Sequence, residues 1–106
     1  MFAMLTALAL AVPGGAPPVI TYFYAAVTPE NVLYVDGTVE DDGDLTKANA
    51  FIYWYGGFWD IPLDEWGYFH WSEQLSSGQS GFVVCEVADE EWHLSEQVEQ
   101  FVEAWI

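Results

Sequence analysis

Of the 106 residues, 17 are Asp or Glu and one, Lys47, is basic, a formal net charge of −16. If this chain does chemistry, carboxylates are the groups it has to do it with. They gather in two runs, Asp41-Asp42-Gly43-Asp44 and Asp89-Glu90-Glu91. A carboxylate pair can cleave a glycosidic bond when the two acids stand roughly 5–10 Å apart across a sugar-sized cleft. Here the acids fall in loops and on outward strand positions, and the pattern marks no cleft. The stretch Glu40–Leu45 lacks the spaced oxygens and late Glu of an EF-hand. The two histidines, His70 and His93, have no third histidine and no nucleophile at a base-like spacing, so both read as surface residues. Cys85 alternates inward and reads as a small buried hydrophobe. Activating a thiol takes electropositive surroundings, which one Lys does not supply. Gly56-Gly57 is a turn rather than a phosphate loop, having neither the spacing nor the following Lys of one.

Charge excludes several partners. Neutralising phosphates takes several Lys or Arg, so direct nucleic-acid binding is excluded. Docking on anionic lipid is excluded likewise. At 53% apolar and 18% aromatic, the chain has the material for a core rather than for disorder. Its length allows one domain, and one cysteine forms no intrachain disulfide. The charge could also act in the opposite sense. A small acidic chain, viral or plasmid-borne, could imitate DNA and inhibit a DNA-binding enzyme, its field speeding association. Trp54, Trp59, Trp66, Tyr68 and Trp92 include several rings that alternation does not bury. Such rings can stack on sugars, although more often they fill a core or cover a sheet edge.

No charged side chain precedes Glu30. Residues 1–12 are apolar apart from Thr6, too short to span a bilayer, and are followed by PGGAPP. They fit the apolar segment of a secretory signal, with Ala9 and Ala11 placed as an A-x-A-like cleavage site, though the basic n-region is missing. The other reading is a buried N-terminal helix or strand. We expect a leader and linker over 1–15, a domain over 16–106, and a secreted or cell-surface location.

From Val19 onward the pattern is β. Val32–Glu40 alternates, with Leu33, Val35, Gly37 and Val39 on one face. Tyr68–Leu75 and Phe82–Ala88 alternate too. Pro- and Gly-bearing breaks separate these short runs, the pattern of an all-β sandwich or barrel. The C-terminus conflicts with this. Leu94, Val98, Phe101, Val102 and Trp105 follow helical spacing, with Glu96, Glu99 and Glu103 opposite. Periodicity alone favours an amphipathic helix there.

The order of motifs is recognisable: APPVITYF, VDGTVEDDGDL, a strand ending YGG, GYFHWSEQL, then SGQSGFVVCEVADEEWHLSEQVEQFV. It resembles the immunoglobulin-like (cadherin-like) β-sandwich modules of bacterial surface and secreted proteins, over about residues 16–102. The resemblance implies about seven strands: 18–26, 31–40, 48–56, a short one near 59–63, 67–75, 81–88 and about 95–105. The last replaces the helix with a strand. The chain departs from antibody-type domains. Val83 takes the tyrosine-corner position, Cys85 has no partner, and Trp54 faces away from Phe51, Tyr53 and Tyr55. The resemblance also implies that the two acidic loops share one end of the sandwich, where such modules place calcium. Asp41, Asp42, Asp44 and Asp89 are then the candidate calcium ligands, and calcium the one candidate cofactor. Solvated, self-repelling loops are the simpler alternative. The expected protein is a non-catalytic exported module with a structural or adhesive role, contacting a protein partner.

Overall fold

A computed structural model describes residues 16–76 and 78–104. The expected leader over 1–15 lies outside these residues. Within the described residues, seven strands form two antiparallel sheets. The three-stranded sheet comprises β1 (Val19–Val27), β2 (Val32–Glu40) and β5 (Tyr68–Gln74), in the order β1-β2-β5. The four-stranded sheet comprises β3 (Asn49–Trp54), β4 (Gly57–Pro62), β6 (Gly81–Ala88) and β7 (Val98–Val102), in the order β4-β3-β6-β7. Each expected strand is present within a few residues of its place.

Alternation decides which side chains meet between the sheets. From β2 come Leu33, Val35 and Val39, and from β5 Phe69 and Trp71. The other sheet supplies Ala50, Ile52 and Trp54 from β3, with Val83, Cys85 and Val87 from β6. Gly37 stays bare because a Cβ there would strike the Phe69 ring. Trp54 is buried in this core, on the face opposite Phe51 and Tyr53, as the alternation requires.

Three turns share one construction. In Thr28–Val32, Asp64–Tyr68 and Asp89–His93, the first residue's N–H donates to the carbonyl of the fifth, and the fourth residue's N–H donates back to the carbonyl of the first. The first side chain accepts from the fifth residue's N–H: Val32 to Thr28 Oγ1 at 3.2 Å, Tyr68 to Asp64 Oδ1 at 2.9 Å, His93 to Asp89 Oδ1 at 2.9 Å. The fourth residue is left-handed in each: Asn31 (φ 69°), Gly67 (φ 84°) and Trp92 (φ 65°). Asn and Gly tolerate that region, whereas a bulky side chain rarely occupies it. A different turn joins β3 to β4. Tyr55 and Gly56 both have positive φ, 47° and 76°, the two-residue hairpin connection that matches strand twist.

The C-terminal segment corrects the periodicity. Val98–Val102 is a strand paired with β6, and no α-helix occurs among the described residues. The misleading residue is Gln100, a polar side chain on the inward face beside Val98 and Val102. Its amide donates to the Ala25 carbonyl at 2.6 Å and accepts from the Ala25 N–H at 3.0 Å. A glutamine thus satisfies the backbone of β1 across the gap between the sheets, and needs no water to do so.

Candidate functional site

The outward residues of the four-stranded sheet form an aromatic face. Register places them in rows: Asp60–Phe51–Glu86 across β4, β3 and β6, then Phe58–Tyr53–Val84–Glu99, then Phe82–Phe101 on β6 and β7. Cross-strand neighbours lie about 5 Å apart, so each row is a continuous surface. Phe51 stacks on Phe58 at 5.4 Å between centroids, and Trp92 lies parallel to Phe51 (5°) at 6.3 Å. Phe82 and Phe101 meet edge to face at 5.3 Å. Phe51 is 7% exposed, while Trp92 is 71%, Phe58 56%, Phe82 55% and Phe101 49% exposed. Outward strand positions in water ordinarily carry polar residues; here five of the nine are aromatic and three are carboxylates.

Carboxylates line the rings. The Tyr53 hydroxyl donates to Glu86 Oε2 at 2.6 Å. That bond, with burial and the charge of Glu86, pushes the Tyr53 pKa up to about 12. The Asn49 amide donates to Asp60 Oδ1 at 2.6 Å. Two anchored carboxylates therefore flank Phe51, with Trp92 stacked on it.

No family model matches the sequence, and no curated protein matches it. Solved structures do match. One is the PKD domain of an M14-like peptidase from a Thermoplasmatales archaeon, 15% identical with a TM-score of 0.59, the match covering 83% of this chain and 95% of that one. The fold is an immunoglobulin-like β-sandwich. A family 76 glycoside hydrolase from a bovine Bacteroides thetaiotaomicron strain also matches, at 13% identity and a TM-score of 0.59. That match covers 85% of this chain and spans 20% of the hydrolase chain.

The Ig-like sandwich brings the two acidic loops together only in part. Asp41 lies close enough to Asp89 for repulsion between them to matter. Burial, then the charges of Asp89 and Asp42, hold the Asp41 carboxyl above its ordinary pKa, against a hydrogen bond from the Gly43 N–H. Its Oδ1 is buried without a hydrogen-bond partner among the described residues. Asp44 is committed elsewhere. It caps the 3-10 turn Leu45–Lys47, accepting from the Thr46 hydroxyl at 2.6 Å and the Thr46 N–H at 3.0 Å. Those bonds lower its pKa. Asp89 is buried and accepts from the N–H groups of Glu91 and His93, while its Oδ2 meets His93 Nδ1 at 2.9 Å. Asp42 is exposed. Among the described residues no three His, Cys, Asp or Glu side chains gather as a metal-holding group.

The histidines divide. His70 is exposed on the outer face of the three-stranded sheet, where its Nδ1 meets Asp36 Oδ1 at 2.7 Å. The Tyr68 hydroxyl donates to the same oxygen at 2.8 Å, which raises the Tyr68 pKa. His93, by contrast, is half-buried in its turn against Asp89. Cys85 is buried, its thiol pushed up to about 12 by burial and by Glu86. A cleft of about 330 Å³ opens beside Trp54, Tyr55 and Trp59, with Glu73 as its lining carboxylate.

Of the aromatic residues named from sequence, Trp92 belongs to the exposed face. Trp54 is in the core and Trp59 packs against it; Trp66 and Tyr68 are exposed elsewhere. Phe58, Phe82 and Phe101 are the exposed rings that the sequence reading does not single out. The available signal was parity: in Gly81–Ala88, Val83, Cys85 and Val87 already fill the inward set, so Phe82 must point out.

Proposed function

We propose that this chain is a non-catalytic Ig-like module, exported to the cell surface or medium, that makes a structural or adhesive protein contact through the aromatic face of its four-stranded sheet. The observation that carries this reading is the row of exposed rings on β4, β6, β7 and the β6–β7 turn, with Trp92 71% exposed. Contiguous apolar surface rimmed by polar groups marks an interaction site more often than a free surface, and aromatic rings dominate contact energetics. A non-catalytic role fits the cleft beside Trp54, where Glu73 is the one lining carboxylate among the described residues and glycosidic cleavage uses two. The DNA-mimic alternative is less well supported, because Asp44, Asp64 and Asp89 spend their oxygens on backbone N–H groups of their own turns.

Photocrosslinking in the source cells tests the contact. A benzoylphenylalanine at Phe58 or Phe82 is expected to give a discrete protein adduct, whereas one at Tyr22, on the outer face of the other sheet, is not. Adducts from Tyr22 alone would overturn the reading, as would hydrolysis of a polysaccharide that Glu73→Gln abolishes.

A further inference from the structure

We infer that the aromatic face takes a cationic partner: a protein segment rich in Arg or Lys, whose guanidinium or ammonium groups sit over Trp92 and Phe58 between the carboxylates of Asp60 and Glu86. This rests on the contact surface proposed above and names its chemistry.

Three observations converge. First, the face carries anions with no cation to answer them. Asp60, Glu86 and Glu99 lie among the rings, and the single basic residue of the chain, Lys47, sits 3.8 Å from Glu90 instead. Second, the carboxylates are held in place. Glu86 is fixed by the Tyr53 hydroxyl and Asp60 by the Asn49 amide, on the two sides of Phe51. Each retains oxygen lone pairs for a further donor. A cation over an aromatic ring gains from the ring's negative face, and a neighbouring carboxylate adds a charge-assisted bond.

Third, Trp92 sits where its turn would prefer glycine. The two sister turns place Asn31 and Gly67 at the left-handed position; this one places the largest side chain there. The indole gains little burial in return, remaining 71% exposed. One face of the ring covers Phe51 and the rest stays open, and a left-handed residue that leaves most of its own surface to solvent points to function. A ring presented flat and open, parallel to Phe51, is what a stacked guanidinium needs. A second copy of this chain is a poor occupant, since it brings the same charge and no free cations.

The test is binding of dye-labelled hexa-arginine to the whole protein, read by fluorescence anisotropy at physiological salt. Saturable binding is expected. Trp92→Gly, which suits the turn, and Phe58→Ala should each weaken it about tenfold while leaving net charge unchanged. Tyr22→Ala, an equally neutral loss on the opposite face, should not. Circular dichroism and melting of each variant confirm that it folds. Equal affinity for wild type, Trp92→Gly and Phe58→Ala would overturn the proposal, because it would show diffuse attraction to the net charge. So would the absence of saturable binding, or displacement of hexa-arginine by cellohexaose. If hexa-arginine fails while crosslinks at Phe58 persist, the face serves a partner of other chemistry. If the crosslinks fail as well, the contact reading falls too.

Discussion

Asp41 is in a different condition from the acids around it. Its folded-state pKa is raised, chiefly by burial and secondarily by the charges of Asp89 and Asp42. The folded protein therefore binds that proton more readily than the unfolded chain. The associated stability is complete below the unfolded pKa and is lost as pH rises through the folded one. At neutral pH the ionised carboxylate works against folding. Asp41→Asn, which can still accept from the Gly43 N–H, is expected to raise the melting temperature at pH 7 by a few degrees. The gain should vanish below about pH 3.5, where Asp41 is protonated in both states. Calorimetry at the two pH values checks this; a gain independent of pH would mean that its origin is not the charge. Residues of this kind were legible in sequence only as acidic runs. Which oxygen is buried and which is spent on a neighbour's N–H depends on loop geometry that spacing does not encode.

Among the elements, β7 shows how the sequence misleads. Val98, Phe101 and Val102 carry helical spacing because Phe101 is apolar on an outward strand position and Gln100 is polar on an inward one. Both exceptions have structural causes: the aromatic face for Phe101 and the Ala25 backbone for Gln100. Gln100→Ala should cost about 1–3 kcal/mol by leaving the Ala25 groups unpaired. In hydrogen exchange, the Ala25 amide should lose protection more than its neighbours in β1; uniform loss would argue against a local role. By contrast, β2 was legible almost residue by residue, because it buries one face and alternates without exception, and β6 does the same as far as Val87. The turn before β5 offers a second check. A Cβ on Gly67 would run into the Val39 carbonyl, and its φ is left-handed. Gly67→Ala is expected to destabilise by roughly 1–3 kcal/mol, whereas Asn31→Gly, at the equivalent place in its sister turn, should be nearly neutral. Urea melts of the pair separate a steric cost from a general weakness of such turns.

For the whole molecule, a net charge of −16 on 106 residues opposes compaction through self-repulsion. Raising sodium chloride toward about 0.5 M should therefore raise the melting temperature by screening it. Because Asp44 and Asp89 are occupied by their own turns, calcium is expected to add no more than magnesium at equal ionic strength. A calcium-specific rise would support Asp41, Asp42, Asp44 and Asp89 as calcium ligands. The sandwich itself was readable from alternation and from the order of motifs, whereas the sharing of one end by the acidic loops was implied only by the family resemblance. The aromatic face was readable only at Phe82, where parity against Val83, Cys85 and Val87 marks an outward ring; β4 and β7 carried no such unbroken inward set.

The Ala25–Gln100 pair reaches beyond stability. β1 and β7 are the first and last strands of the described fold, and they pack together. Tension applied between them loads that two-bond bridge along with the packing of β1 on β7. A module pulled along its chain would thus have part of its resistance set by one glutamine side chain. Gln100→Ala should yield at lower force in a single-molecule pull, even under solvent conditions chosen to match its equilibrium stability to that of the wild type.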